Sequence, residues 1–356
     1  MRKPRSVILL LVVLCLLLSG GTAYWRIAPK KEKKEVPTLK VWEGEKSLLH
    51  LPLYVALEEG FFTEQNVKIQ LFRAGGSGAG DPYDRNLADI ILADPVECLY
   101  RLSTDPLSPS IVATLAGRSD TFLLGREKTP FNWEGLKDKT IIAYPPETGP
   151  GFTLEALLRA NGLAPQRDLT LYYRIPADLR LGVFKSGSGS YIQLAGPQAL
   201  QAEAAGTGYI AAALGRESDI PAVLCTAWPG VVRKQPGALQ GFVNGIHKAQ
   251  LWMQHEPELA LQAAKKHFGC LYGKTRDRLV RLYLEMDMWR PAPWLSETSF
   301  EEMERMLAAA GQLVGPVKAA EALDNTFARR AAETIMYIPE GEREKGWLQK
   351  LFSRVQ

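Results

Sequence analysis

Histidine and cysteine are scarce in this chain, with four of each in 356 residues. Cys98, Cys225 and Cys270 show no C-x-x-C spacing, so neither a disulfide framework nor a cysteine metal site is legible. Each reads as a small buried side chain. His247 and His255 lie eight apart on a helical pattern that Pro257 interrupts, and no carboxylate completes a metal-ligand spacing. His255-Glu256-Pro257 is not the start of an HExxH site. No metal and no cofactor is expected from these residues. An excess of one charge is also missing: 43 Lys and Arg stand against 39 Asp and Glu, and without Arg2, Lys3 and Arg5 the balance is 40 to 39. That excludes a nucleic-acid binder, which needs clustered basic residues. Catalytic motifs fail too. Residues 269–275, GCLYGKT, put three residues between glycines where a phosphate-binding loop needs four, and they follow a helical pattern rather than a strand. Residues 75–80, GGSGAG, lack the final glycine of a nucleophile elbow and read as a flexible turn. The chain offers no catalytic residue and is expected not to be an enzyme.

What is present is a globular composition, 46% hydrophobic and 23% charged, in a length that suits about two domains. Residues 1–23 carry a basic start, an apolar run over 7–18 and small residues up to Ala23, the parts of an export signal. Residues 7–25 are also nearly long enough to span a bilayer, so a retained membrane anchor stands beside cleavage. A third route, lipid attachment at Cys15, departs from the usual pattern because Leu14 is bulky. Lys30 to Glu35 form a charged linker without core residues, and residues 26–37 are read as that tether. The last apolar positions, Trp347, Leu348, Leu351, Phe352 and Val355, share one helical face, expected to cap the protein rather than touch a membrane.

From Leu39 the chain alternates strand and helix patterns, as a doubly wound α/β protein does. Strands are expected over 39–42, 67–72, 90–92, 111–115 and 121–125, with helices over 51–59 and 96–102. A second series follows: a strand at 139–144, a helix at 152–161 closed by Gly162, strands at 169–173 and 191–194, and a helix at 197–205. Residues 208–213 are of undecided type, and a strand at 223–226 brings the chain back. Helical patterns occupy 240–268 and 300–313, with breaks at Pro257 and Gly269. Residues 38–117 and 226–338 make a first lobe, 118–225 a second, and 339–356 a tail.

Two stretches carry a family resemblance. Residues 51–72, LPLYVALEEGFFTEQNVKIQLF, and residues 87–95, LADIILADP, with the glycine turn between them, resemble the substrate-binding proteins of ABC importers for nitrate, sulfonates, taurine and thiamine-precursor pyrimidines. The resemblance runs from about residue 38 to 327. It implies an α/β fold of two doubly wound lobes joined by two or three crossing strands, type II periplasmic-binding-protein-like, with extra C-terminal helices on the first lobe. It implies an extracytoplasmic solute-binding protein, a monomer whose partners are a small-molecule ligand, an ABC permease and its ATPase; the N-terminal segment, if retained, adds a membrane tether.

Ligands of open α/β sheets sit at strand ends. Four such ends face the inferred cleft: Trp42 with the loop containing Ser47, Asp94-Pro95, the 144–153 stretch, and Gln193 to Gly196. In the 144–153 stretch, Tyr144 ends a strand and Thr148, Gly149, Gly151 and Phe152 lead into a helix, whose unpaired N–H groups and dipole could hold an oxyanion. A plain cap by Thr148 or Thr153 is the alternative; the resemblance favours ligand contact there, and near Gly76. Where many members of that family carry Glu-Pro, this chain has Gly196-Pro197 and lacks the carboxylate. Asp94 either faces the pocket or caps the following helix. Trp228 either stacks on a planar ligand or packs at the hinge. Arg118 and Arg174 are candidate partners for an anion. The expected ligand is a small organic anion or heterocycle. An enzyme on the same fold and a tethered sensing lobe without a permease are the rival readings.

Overall fold

The computed structural model describes residues 35–73, 81–84, 87–105 and 107–339, apart from the side chains of 270–272. The export segment, Cys15, most of the charged linker, Gly76 and the apolar face of the C-terminal tail lie outside these residues, as does the Cys270 side chain. Among the described residues no helix is long and apolar enough to cross a membrane.

The first lobe begins with β1 (Thr38–Gly44), α1 (Leu51–Glu58), α2 (Phe61–Glu64), β2 (Lys68–Arg73), β3 (Ile90–Ala93), α3 (Pro95–Thr104) and β4 (Ser110–Ala116). The second holds β5 (Thr121–Gly125), β6 (Thr140–Ile142), α4 (Gly149–Ala160), β7 (Thr170–Tyr172), α5 (Ala177–Lys185), β8 (Tyr191–Ala195), α6 (Gly196–Ala204) and β9 (Tyr209–Ala213). The chain then returns through β10 (Val223–Ala227) to α7 (Pro229–Lys234), α8 (Pro236–His255), α9 (Pro257–Tyr272), α10 (Arg276–Glu285), α11 (Glu297–Ala309), α12 (Ala319–Ala322) and α13 (Thr326–Thr334).

Two five-stranded sheets result, ordered β2-β1-β3-β10-β4 and β7-β6-β8-β5-β9. β1 runs parallel to β2 and β3, and β6 parallel to β7 and β8, whereas β10 is antiparallel to β3 and β4, and β5 to β8 and β9. β3, β4, β5 and β10 are buried almost throughout, which explains their unbroken apolar runs: both faces are covered by helices. α8 packs on α1, and α13 on α8 and β4, so the C-terminal helices close the first lobe, while α10 reaches across to α6. α8 approaches α2 closely because it carries Gly245, where a Cβ would fall 2.6 Å from the Phe62 ring; Phe62 stacks on Phe242 at 5.7 Å.

Several elements differ from the sequence expectations. All five residues of β10 pair in the first sheet, Val223 opposite Ala116, so the division at 225/226 falls inside a strand. Residues 209–213 form β9, antiparallel to β5. α4 begins at Gly149 rather than Phe152, since Pro150 is tolerated in a first turn that needs no N–H from it. α9 runs through Gly269 without a break. α5 and α10 have no counterpart in the sequence reading; α5 carries Gly182 and buries only Arg180 and Phe184, so its apolar period is faint.

Candidate functional site

The sheets are joined by two crossings, residues 117–120 and 214–222. Backbone meets backbone there: a Cβ on Gly215 would stand 2.1 Å from the Ser119 carbonyl oxygen. The Arg118 guanidinium ties the two crossings together, donating from Nη1 to the carbonyls of Gly215 (2.9 Å) and Ser218 (3.4 Å) and pairing with Asp219 at 3.5 Å. Arg290 pairs with the same carboxylate at 3.2 Å. Arg118 thus sits at the crossings with Nη1 and Nη2 engaged there and Nε buried without an acceptor, and Arg174 is exposed on the surface.

The ends of β3 and β6 meet across the cleft. Asp94 caps α3 through Oδ1, which accepts from Val96 N (2.8 Å) and Glu97 N (3.4 Å). Its Oδ2 accepts from Gly149 N at 3.0 Å, in the other lobe. Pro95 is buried as the first residue of α3. Burial pushes the Asp94 carboxyl above the usual carboxylate range, against the pull of those three N–H groups. The rest of the α4 end is also satisfied: Gly151 N donates to Thr148 Oγ1 at 3.3 Å and Phe152 N to the Thr148 carbonyl at 2.8 Å. The oxyanion expected at 148–153 therefore meets an end whose N–H groups are taken, Pro150 having none to offer. Gly151 is a packing glycine, because a Cβ there would lie 2.0 Å from the Pro145 oxygen.

Tyr144 and Gln193 are brought together inside the second lobe. Gln193 Oε1 accepts from Tyr144 N (3.1 Å), while its Nε2 donates to the Pro150 carbonyl (2.8 Å) and to Thr121 Oγ1 (3.2 Å). Fully buried, its side chain braces β5, β8 and the α4 end rather than facing solvent. The Tyr144 hydroxyl accepts from Ala195 N at 3.3 Å. Over its ring, 4.3 Å from the centroid, lies the guanidinium of Arg180, which donates from Nε to the Ile175 carbonyl (3.0 Å) and keeps Nη1 buried without an acceptor. Gly196, first residue of α6, gives its N–H to the Asp120 carboxyl, which also accepts from the Tyr283 hydroxyl at 3.2 Å. Burial pushes that carboxyl up to about 6. Arg180, Asp120 and Tyr283 escape the sequence reading because the first lies on an unforeseen helix, the second in a crossing and the third far along the chain.

Trp42 lies two residues before the end of β1, opposite Ile91, and is buried in the first-lobe core. Ser47 accepts from Leu49 N at 3.2 Å and caps the turn after β1. That turn is braced by Glu43, whose fully buried carboxylate accepts from Tyr54 (2.6 and 2.7 Å), His50 Nδ1 (3.2 Å) and Arg73 Nε (2.6 Å). Burial raises the Glu43 carboxyl, but hydrogen bonds from His50, Tyr54 and Arg73 outweigh it and hold the group below its ordinary range. Trp228 is away from the cleft. β10 runs antiparallel to β3, pairing Leu224 with Ala93 but Ala227 with Ile90, so Trp228 comes to Asp89, the opposite end of β3 from Asp94.

A crevice of about 350 Å³ lies between α4 and α11, with Phe152, Glu155 and Arg159 on one wall and Glu302, Arg305 and Met306 on the other. Among the described residues no group of three or more His, Cys, Asp and Glu is gathered to hold a metal. Cys98 and Cys225 are fully buried, and burial raises both thiols far above their ordinary range, so neither supplies a thiolate.

Two α/β sheets in these strand orders, with an inserted second lobe and helices closing the first, define the type II periplasmic-binding-protein-like fold. Solved structures with this fold include the alkanesulfonate-binding protein SsuA from Xanthomonas axonopodis pv. citri bound to MOPS, 15% identical, at a TM-score of 0.61 over 81% of this chain and 98% of that one. The periplasmic nitrate-binding protein NrtA from Synechocystis PCC 6803 is 17% identical, at 0.59 over 85% and 89%. The desulfurization enzyme DSZB shares the fold at 17% identity, 0.60 over 83% and 99%. In sequence the chain is similar to YtlA of Bacillus subtilis (strain 168), provisionally named a binding protein, at 28% identity over 292 residues, 81% of this chain and 87% of that one. No family model matches.

Proposed function

We propose that this is an extracytoplasmic solute-binding protein that holds a small organic molecule between its lobes and delivers it to an ABC permease and its ATPase. The observation that carries this reading is the convergence of strand ends from both sheets, at Asp94 and at Tyr144 to Phe152, on one cleft between lobes joined by two crossings. Such a frame rotates about its crossings, and a solute touching both walls shifts the open–closed population toward closure. The crevice beside Phe152 has the size of small-molecule sites. The neighbours named for sulfonate and nitrate binding, and YtlA, support transport over catalysis. The apolar N-terminal segment, as export signal or tether, supports a place outside the cytoplasm, with the closed monomer as the form the permease meets.

Purified residues 26–356, screened by thermal shift against pyrimidines, aromatic acids, sulfonates and nitrate, test this. A solute at a hundred times its dissociation constant adds about 2.7 kcal/mol to stability. A screen in which none of these classes moves the transition counts against the reading, and recovery of a chemically altered solute would turn it toward an enzyme.

A further inference from the structure

Two helix ends in the second lobe, one at the cleft and one packed against α10, are filled from within the chain. Gly149 N, at the start of α4, donates to Asp94, and Gly196 N, at the start of α6, to Asp120. Both positions are glycine for the same steric reason. A Cβ on Gly149 would stand 2.4 Å from Asp94 Oδ2, and one on Gly196 would stand 2.4 Å from the Tyr283 hydroxyl that bonds Asp120. The two aspartates differ in one respect that matters for motion. Asp120 lies in a crossing, at the pivot, whereas Asp94 belongs to the first lobe and its partner Gly149 to the second.

We propose that Asp94 is an internal ligand of the cleft: its carboxyl, carried by the first lobe, occupies the N-terminal end of α4, latches the lobes together without solute, and bars that helix end to oxyanions. A second carboxylate or sulfonate there would face a like charge and find each of the first N–H groups of α4 already paired. The solute is then one that leaves Asp94 in place or bonds to it, a neutral or cationic molecule presenting N–H or O–H donors to Oδ2, which retains a lone pair. A neutral heterocycle with such donors meets this requirement. This statement of solute class rests on the solute-binding reading; the latch does not.

Asp94→Asn separates the two. The amide carbonyl keeps the α3 cap, while its NH2 group is left facing the Gly149 N–H, donor against donor. Gly149→Ala breaks the same contact from the other lobe, its methyl group falling 2.4 Å from Oδ2 and 3.3 Å from the capping Oδ1, while the capping carboxylate itself is retained. By small-angle scattering without solute, both variants are expected to show a larger radius of gyration than the wild type, and methanesulfonate or nitrate is expected to bind Asp94→Asn at least tenfold more tightly than the wild type. Equal radii for the wild type and both variants overturn the latch. Methanesulfonate binding that is tight in the wild type and no tighter in Asp94→Asn overturns the exclusion. Variants that open in a protein binding no solute of any class uphold the latch and sink the solute-binding reading instead.

Discussion

Asp120 and His247 are both buried titratable groups, and burial moves them in opposite directions. The Asp120 carboxyl is raised to about 6 and the His247 imidazole lowered to about 4, each chiefly by desolvation. A raised acid adds stability at low pH that is lost as pH rises through its folded value; a lowered histidine adds stability above its unfolded value, near 6.5, that is lost as pH falls. Between pH 4 and 6 the two slopes, each about 1.4 kcal/mol per pH unit, nearly cancel. Asp120→Asn should then lose about 3 kcal/mol as pH falls from 6.5 to 4, whereas His247→Gln should gain stability over pH 6 to 4. Urea midpoints across that range check this, and parallel profiles for the two variants would refute it. For Asp94 the sequence leaves open a cap and a place facing the pocket; Oδ1 makes the cap, and Oδ2 accepts from Gly149 N of the other lobe. Trp228 was misplaced because strand direction, which decides the end of the sheet it reaches, is not written in local composition.

Among the elements, the strands buried on both faces were legible because their apolar runs are continuous, and α1 and α3 because turn residues bound them. α5 and α10 were not, since their helical period is weak or carried by charged residues. The α4 end shows a subtler gap. A glycine-rich turn ahead of a helix predicts free N–H groups, and only the opposite lobe reveals that one is already bonded. Helix contacts carry a prediction of their own. Gly245→Ala puts a methyl group into the Phe62 ring and should cost about 1–3 kcal/mol through forced repacking between α8 and α2. Gly230→Ala, in open space on α7, should change stability by a few tenths at most or raise it. Chemical denaturation of the pair provides the comparison, and equal stabilities would show that α8 shifts to absorb the methyl group.

At the scale of the whole molecule, the lobe plan is readable from the alternation of patterns together with the family resemblance, and the break at Gly117 marks the first of the two crossings, whereas the return lies at 214–222, ahead of the 225/226 boundary expected from the sequence. The crossings lie where backbone packing sets the boundary, with Gly215 against Ser119 and Arg118 spanning both segments. Ala222 N donates to the Ala116 carbonyl at 2.9 Å, so the inserted lobe leaves and re-enters its host at neighbouring points. The second lobe is therefore a cassette. Replacing residues 118–221 by a tight turn would convert β4 and β10 into an ordinary hairpin, and the first lobe should retain its amide-exchange protection once the newly bared Leu279 and Tyr283 are made polar. The same junction offers a place to exchange the whole second lobe for another, so that one wall of the cleft could be replaced by transplantation instead of by altering single side chains.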